Sequence, residues 1–246
     1  MSGAVQETVE VFPGLTFRIV ERVPSIGELQ QLYWGFHPRY RFLKTLPRGA
    51  TLLDYGAGPG GLIHWRRWGM PDRRDLKMIA VDRQKGELFD QYDGWFTNPS
   101  EASALPAELR DLDAVLLSHV LEHIHEPDAL LDSIHAALRP GGRAYFEVPT
   151  PATLELPPRS QVLARGIPIS TLAFHDDPTH LRTWSLPHLR DLMERHRLRV
   201  LETGVITLPW LEDLLFTAGY RERNEELVTY AVWARTRWAQ WVLVEA

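Results

Sequence analysis

The sequence has no cysteine, which excludes disulfides, thiolate metal sites and a cysteine nucleophile. It also has no apolar run near the roughly 18 residues that a membrane-spanning helix needs. The acidic first segment, MSGAVQETVE, lacks the basic and apolar regions of a signal peptide. The formal charge is −5 and the basic residues do not gather in one stripe, which argues against a dedicated nucleic-acid binder. We therefore expect a cytoplasmic protein that binds small molecules, with no nucleic-acid partner and no membrane span.

From Thr51 onward the sequence shows a pattern of alternating elements. With 246 residues, 44% of them hydrophobic, the chain can bury a full core. Apolar runs typical of strands alternate with helical segments; these runs are TLLDYG, KMIAVD, LDAVLLSH and RAYFEVP. Such alternation is typical of βαβ units around a parallel sheet. The sequence therefore predicts an α/β fold with a doubly wound, mostly parallel sheet.

Two segments differ from this pattern. Residues 1–46 contain an extended candidate, 15–21, and a helical stretch, 26–46; we predict an N-terminal helical cap on a main domain of residues 47–246. Residues 149–183 are rich in proline and polar residues and too long for a routine connection, so we predict a substrate lid inserted after the fifth strand. The later segments LRVLETGVI and ELVTYAVWA are predicted to be two closing strands.

The main binding signal follows the first of these strands. Asp54 precedes the loop Gly56-Ala57-Gly58-Pro59-Gly60-Gly61, and a glycine turn between a strand and a helix presents free backbone N–H groups to a ligand. The loop also satisfies the G-x-G-x-x-G pattern of dinucleotide enzymes, so an NAD-dependent oxidoreductase is an alternative. Asp54 argues against it, because a carboxylate at the strand end would repel a pyrophosphate and attract a cationic cofactor.

Three further segments extend the pattern. A second strand ends in a carboxylate, Asp82, and the runs Ser118-His119-Val120-Leu121-Glu122-His123 and Leu138-Arg139-Pro140-Gly141-Gly142 follow. Together with the acidic residue and the glycines of the loop, they resemble class I S-adenosylmethionine-dependent methyltransferases. The resemblance covers roughly residues 51–148 and again 184–201. It implies a Rossmann-like, seven-stranded sheet, S-adenosylmethionine as the cofactor, and methyl transfer as the reaction.

The resemblance also implies which residues hold the cofactor. Asp82 would accept hydrogen bonds from the two ribose hydroxyls, although capping of the next helix is an alternative for an aspartate at a strand end. Glu101 would lie near the adenine. The segment His37-Pro38-Arg39-Tyr40-Arg41 would place a tyrosine or arginine, with Tyr40 as the candidate, near the methionine carboxylate. The full set of predicted cofactor-binding residues is Asp54, Gly56, Ala57, Gly58, Gly60, Asp82, Arg83, Glu101, Ala102, Ser118, His119 and Tyr40.

Three histidines are candidates for a catalytic base. His175 and His180 lie in the predicted lid, which could bring a titratable group to the acceptor; alternatively they are solvated or hold the loop together. His119 is the third candidate. His119 and His123 also have the spacing of a helical metal pair that Glu122 could join, but the same run occurs in metal-independent members of the family. We expect no metal.

The expected function is methyl transfer to the oxygen or nitrogen of a small-molecule acceptor. One alternative from another class is a catalytically silent methyltransferase-like subunit that binds the cofactor and partners with another enzyme. The intact Asp54, Gly56, Gly58 and Asp82 argue against that alternative. The sequence leaves the identity of the acceptor and the oligomeric state open.

Overall fold

The computed structural model describes residues 7–98 and 104–246, which divide into two compact units. The first unit comprises the chain up to Phe36 with Thr150–His180 and Val205–Ala239, and the second comprises His37–Pro149, Leu181–Gly204 and Gln240–Ala246. Each unit has its own hydrophobic core. Among the helices of the described residues, none has the length and apolar character needed to cross a membrane.

The described residues contain nine strands and seven α-helices. Strands β1 to β9 are Thr8–Phe12, Leu15–Arg18, Thr51–Tyr55, Lys77–Asp82, Gly94–Thr97, Leu112–Ser118, Leu138–Pro149, Arg199–Val205 and Ala239–Glu245. Helices α1 to α7 are Ile26–Phe36, Pro38–Thr45, Pro127–Ala137, Arg159–Ala164, Leu186–Arg195, Glu212–Arg221 and Glu225–Thr236.

Seven strands form one sheet in the order β5-β4-β3-β6-β7-β9-β8, which lies in the second unit except for the end residues Val205 and Ala239. The pairs β3–β4, β3–β6, β4–β5 and β6–β7 are all parallel. The chain therefore winds outward from β3 in both directions, and doubly wound sheets bind ligands at such a switch point. The predicted α/β fold with a seven-stranded, mostly parallel sheet is confirmed.

The central strands are continuous apolar runs because both faces of a parallel sheet are covered. In β3 the residues from Leu52 to Tyr55 are all buried, and so are those from Met78 to Val81 in β4. The few polar residues in this environment are therefore conspicuous. They include Asp54 in β3 and Glu147 in β7, which are 4% and 2% exposed.

The first unit combines a hairpin with helices. Strands β1 and β2 pair antiparallel, and Phe17 stacks on Phe216 of α6 with ring centroids 4.2 Å apart. Arg235 of α7 forms ion pairs with Glu212 at 2.8 Å and Asp213 at 2.9 Å. Part of this unit, Thr150–His180, follows β7, the fifth strand of the main sheet in chain order. Its action as a lid stays a prediction, as does the functional boundary at residue 46.

One predicted strand is wrong. ELVTYAVWA belongs to helix α7, and the closing strand is β9. The buried apolar residues Leu227, Val228, Ala231 and Val232 recur at helical spacing, and the Asn224 side chain caps the helix by accepting a hydrogen bond from the backbone of Leu227 at 3.1 Å. The other closing strand, predicted in LRVLETGVI, is β8. The predicted N-terminal helical stretch forms two helices, α1 and α2.

Candidate functional site

The carboxyl ends of β3, β4, β6 and β7 share one edge of the sheet, because these strands are parallel. We call the groups at this edge the candidate site. They comprise the glycine loop of residues 56–61, Asp82, Ser118, His119 and Glu147. The structure thus brings most of the predicted cofactor-binding residues to one edge of the second unit. Glu101 and Ala102 lie outside the described residues, and their roles stay predictions.

The glycine loop follows β3 and depends on left-handed backbone conformations. Gly56, Gly58 and Gly60 have φ values of +76°, +55° and +93°, which L side chains rarely adopt. A Cβ at Gly56 would also lie 2.2 Å from Cγ2 of Val120. The loop can therefore form a close backbone turn only with glycine at these positions.

The loop differs from the expected cradle of free N–H groups. The N–H groups of Gly56 and Ala57 donate to the Val81 carbonyl at 2.8 and 3.2 Å, and that of Gly60 donates to the Ala57 carbonyl at 2.9 Å. The N–H of Gly58 donates to Oδ2 of Asp82 at 2.7 Å. The segment that follows, Gly61–Arg66, is a short 3₁₀ helix. These four N–H groups therefore fix the shape of the loop, so the prediction that they are free for a ligand is wrong.

Asp54 is a buried carboxylate at the end of β3. Its Oδ2 accepts a hydrogen bond of 2.6 Å from the Tyr92 hydroxyl. Burial raises the pKa of Asp54 to about 6, although the hydrogen bond from Tyr92 and the charge of Arg39 act in the opposite direction. Asp54 is therefore mostly ionised at pH 7, and a buried anion of this kind attracts a cation more strongly than an exposed one.

Asp82 ends β4 and contacts the glycine loop. Besides the hydrogen bond from Gly58, its Oδ1 accepts one from the backbone N–H of Arg83 at 2.6 Å. The next helical turn is Phe89–Gln91, and Leu88 is the residue that precedes it. Asp82 is therefore not a helix cap, and that alternative for its carboxylate is wrong.

A cavity lies beside this carboxylate. It has a volume of about 850 Å³ and is lined by Gly58, Pro59, Asp82, Arg83, Gln84, Lys85, Gly86 and Glu87. A Cβ at Gly58 would meet nothing within 4 Å, so there is open space beside the loop. A carboxylate acceptor, exposed peptide surface and a cavity suit a ligand that donates hydroxyl hydrogen bonds, and a nucleoside fits this donor set.

Glu147 is the centre of a buried polar cluster at the ends of β6 and β7. It accepts hydrogen bonds from the Tyr145 hydroxyl at 2.7 Å and the Ser118 hydroxyl at 3.3 Å. Its Oε1 lies 3.0 Å from Nε2 of His119 and 3.8 Å from Nη2 of Arg39. Burial would raise the pKa of Glu147, but the charges of Arg39 and His119 hold it well below its ordinary value. Glu147 is therefore ionised, and it lies next to two positively charged side chains, Arg39 and His119.

His119 lies between two buried carboxylates. Besides its contact with Glu147, its Nδ1 is 3.4 Å from Oε1 of Glu122, a residue that is 0% exposed. A neutral imidazole has one N–H, so a ring that faces carboxylate oxygens on both sides is stabilised as the imidazolium. Burial lowers the pKa of His119, but the two carboxylates outweigh it and raise the pKa to about 9. The imidazolium has no lone pair for a proton, so the geometry argues against His119 as a base.

The start of α2 supplies the remaining groups of the cluster. His37 is buried and accepts a hydrogen bond from the backbone of Arg39 at 3.3 Å, and burial lowers the pKa of His37 to about 3, so it is neutral. Nη1 of Arg39 donates to the Ser118 hydroxyl at 2.6 Å. The Tyr40 hydroxyl donates instead to the Trp68 carbonyl at 3.1 Å. Arg39 thus reaches the candidate site, whereas contact of Tyr40 with the cofactor stays a prediction.

The two candidate bases of the predicted lid belong to the first unit. His175 is exposed. The His180 ring packs on Phe174 with centroids 4.5 Å apart, and its Nδ1 lies 2.6 Å from the Phe174 carbonyl oxygen. Asp176 accepts a hydrogen bond from the backbone of Ala173 at 2.8 Å, and Asp177 accepts one from that of Thr179 at 2.8 Å. The aspartates therefore shape the turn, and catalysis by His175 or His180 stays a prediction.

Sequence reasoning missed Tyr92, Tyr145 and Glu147. Glu147 had a usable signal, since a carboxylate inside the apolar run RAYFEVP must find partners when it is buried. Tyr92 and Tyr145 had none, because a tyrosine near a strand is usually a packing residue. Their importance comes from the carboxylates that their hydroxyl groups contact.

Comparison with known proteins gives both a family and a fold. The methyltransferase-domain family matches residues 30–203. An uncharacterized methyltransferase of Mycobacterium sp. (strain KMS) is 31% identical over 105 residues, which are 41% of this chain and 39% of that protein. The alignment thus spans about two fifths of the length of the curated relatives.

Two solved structures agree with this result. One is the complex between the Haloferax volcanii Trm112 methyltransferase activator and a putative methyltransferase, with a TM-score of 0.57, 16% identity, and coverage of 89% of this chain and 92% of that chain. The other is a SAM dependent methyltransferase from Archaeoglobus fulgidus, with a TM-score of 0.54, 16% identity, and coverage of 89% and 94%. At these identities the likeness shows the fold alone.

The sheet order and the acidic strand ends around a glycine loop define a Rossmann-like protein of the methyltransferase type. Since the methyltransferase-domain family matches residues 30–203, which are most of its length, the chain belongs to the methyltransferase-domain family.

Proposed function

We propose that this protein transfers a methyl group from S-adenosylmethionine to the oxygen or nitrogen of a small-molecule acceptor. The observation that carries the proposal is the pair of carboxylates at the ends of neighbouring strands, Asp54 and Asp82, on either side of the glycine loop. Asp54 is a buried anion, and Asp82 lines a cavity of about 850 Å³. A cationic nucleoside cofactor complements both groups, whereas the pyrophosphate of NAD would meet a negative charge at Asp54.

In the cofactor site each residue has a distinct task. Asp82 would accept hydrogen bonds from the ribose hydroxyls, and the glycine loop would contact the nucleoside through its backbone surface. Asp54 would stabilise the ammonium group of the methionine part. Arg39, which is held by Ser118 and Glu147, would bind the methionine carboxylate. The adenine contacts are proposed for Glu101 and Ala102.

The acceptor is proposed to bind beyond the ends of β6 and β7. The bound cofactor supplies a methyl group that the sulfonium has already activated, so the protein mainly has to align the acceptor atom. A hydroxyl or ammonium acceptor must also lose a proton. His119 is held as an imidazolium between Glu122 and Glu147, so we assign it an electrostatic role. His180 or His175 is the proposed base.

Mass spectrometry of the small molecules released from the purified protein tests this function. We expect S-adenosylhomocysteine or S-adenosylmethionine among them, and a co-purified acceptor would identify the methylated atom. Candidate acceptors are then incubated with cofactor that carries a labelled methyl group, with and without protein. Release of NAD and no adenosyl cofactor would contradict the proposal.

A further inference from the structure

We propose that Tyr92 is a positioning residue of the cofactor site. Its hydroxyl links Asp54 to the glycine loop and holds the Asp54 carboxylate in position to bind a cation. The inference rests on the proposed function for the identity of that cation, the ammonium group of the methionine part of S-adenosylmethionine. Tyr92 lies well outside the glycine motif and just after the turn Phe89–Gln91, so no motif of the sequence points to it.

The first support is the geometry of the Tyr92 hydroxyl. It donates to Oδ2 of Asp54 at 2.6 Å and lies 3.2 Å from the carbonyl oxygen of Gly60. Asp54 and Tyr92 are 4% and 7% exposed, so water cannot easily replace the hydroxyl. A hydrogen bond to a buried carboxylate is charge-assisted and stronger than one between neutral groups. One hydroxyl thus contacts both the strand end and the glycine loop.

The second support is the way the residues before Tyr92 pack on the loop. The N–H of Leu88 donates to the Pro59 carbonyl at 2.9 Å. A Cβ at Gly86 would lie 2.2 Å from the Gly58 carbonyl oxygen, and one at Gly60 would lie 3.3 Å from Cε2 of Tyr92. The segment 86–92 therefore packs directly on the glycine loop, and Tyr92 has little freedom to leave Asp54.

The third support is electrostatic. Burial raises the pKa of Asp54 to about 6; the Tyr92 hydrogen bond and the Arg39 charge lower it, and the neighbouring Asp82 charge raises it. Without the Tyr92 hydroxyl the pKa of Asp54 should rise further, towards neutral pH. A protonated Asp54 has no charge with which to attract a cation. Affinity for the cofactor should therefore fall as the pH drops through the pKa of Asp54, and this fall should begin at higher pH when the hydroxyl is missing.

The test compares Tyr92→Phe with the wild type and with Tyr220→Phe, a control in α6 of the first unit. The Asp54 carboxyl is titrated by carbon NMR without cofactor, and S-adenosylmethionine binding is measured by calorimetry from pH 5 to 8. We expect a higher Asp54 pKa in Tyr92→Phe, about tenfold weaker binding at pH 8, and a larger loss at pH 6. The control should match the wild type.

A double-mutant cycle with Asp54→Asn distinguishes an effect of Tyr92 through Asp54 from a general loss of packing. If Tyr92 acts through Asp54, adding Tyr92→Phe to Asp54→Asn should cost little further affinity and leave binding independent of pH between 5 and 8. A folded Tyr92→Phe protein with wild-type affinity and an unchanged Asp54 titration would overturn the role of Tyr92. Additive losses in the cycle would overturn it as well. Absence of S-adenosylmethionine binding by the wild type at every pH would instead overturn the proposed function, and with it the cofactor role of Tyr92.

Discussion

Replacing Glu147 by glutamine should destabilise the protein strongly, although the change removes only a charge. Glu147 is 2% exposed and lies 3.0 Å from His119 and 3.8 Å from Arg39. Removing one partner of a buried ion pair leaves the other charge uncompensated, which costs about 3–5 kcal/mol. The rise of the His119 pKa from 6.5 to about 9 corresponds to roughly 3 kcal/mol, which Glu122 and Glu147 share, so the loss of Glu147 removes only part of it and the unpaired charge of Arg39 adds to the cost. We therefore expect a loss of about 3 kcal/mol in the free energy of unfolding at pH 7.

The pH dependence gives this prediction a second signature. The folded-state pKa of His119 lies above its unfolded value, so the stability it contributes is fully present below about pH 6.5 and is lost as the pH rises through about 9. In Glu147→Gln only Glu122 still faces the imidazole, so the pKa of His119 should fall. As the pH rises, the free energy of unfolding of this variant should then fall by less than that of the wild type, and the fall should end at a lower pH.

Urea unfolding followed by tryptophan fluorescence measures both effects, with Glu202→Gln as the control. Glu202 pairs with Arg41 at 2.7 Å, but the two side chains are 47% and 54% exposed. A surface pair of this kind contributes about 1 kcal/mol or less. Equal unfolding midpoints for the two variants would show that Glu147 does not stabilise the buried charges of His119 and Arg39. An unchanged His119 titration in Glu147→Gln would show the same.

Two further predictions concern the cofactor and the base. Asp82→Ala should weaken S-adenosylhomocysteine binding by about 2 kcal/mol or more, because a charge-assisted acceptor for the ribose is lost, and Asp82→Asn should lose less because one acceptor oxygen can still face Gly58. Calorimetry measures both, and normal binding with a sharply lower melting temperature would make Asp82 purely structural. In single-turnover methyl transfer, His175→Ala or His180→Ala should lose roughly a hundredfold in rate if that residue is the general base, with cofactor binding intact in each. Unchanged rates in both variants would mean that neither residue is the base.

The fold was largely predictable because its main signals are local. β3, β4 and β6 are continuous apolar runs bounded by aspartate, glycine or serine, and such runs between helices indicate a parallel sheet. The error in α7 has a physical cause, since Leu227, Val228, Ala231 and Val232 fit a short apolar strand as well as a buried helix face. Periodicity alone does not separate the two over so few residues.

The candidate site was predictable only where a motif lies in one stretch of chain. Asp54, the glycine loop and Asp82 could be predicted because each lies at or directly after the end of a strand that the sequence indicates. The Glu147 cluster joins Arg39, Ser118 and His119 to a strand much later in the chain. The parallel order of β6 and β7 brings Ser118 and His119 to Glu147, and Arg39 comes from α2. The protonation of His119 could not be predicted from the sequence either, because it depends on two carboxylates that face the ring from different elements.

The acidic strand ends are proposed to select an adenosine compound with a cationic ammonium group over a dinucleotide. Calorimetry at pH 8 with S-adenosylmethionine, S-adenosylhomocysteine and NAD tests it most directly. At this pH Asp54 is ionised, since its pKa is about 6, and we expect dissociation constants in about the micromolar range for the two adenosyl compounds and no binding of NAD. Binding of NAD alone would contradict it.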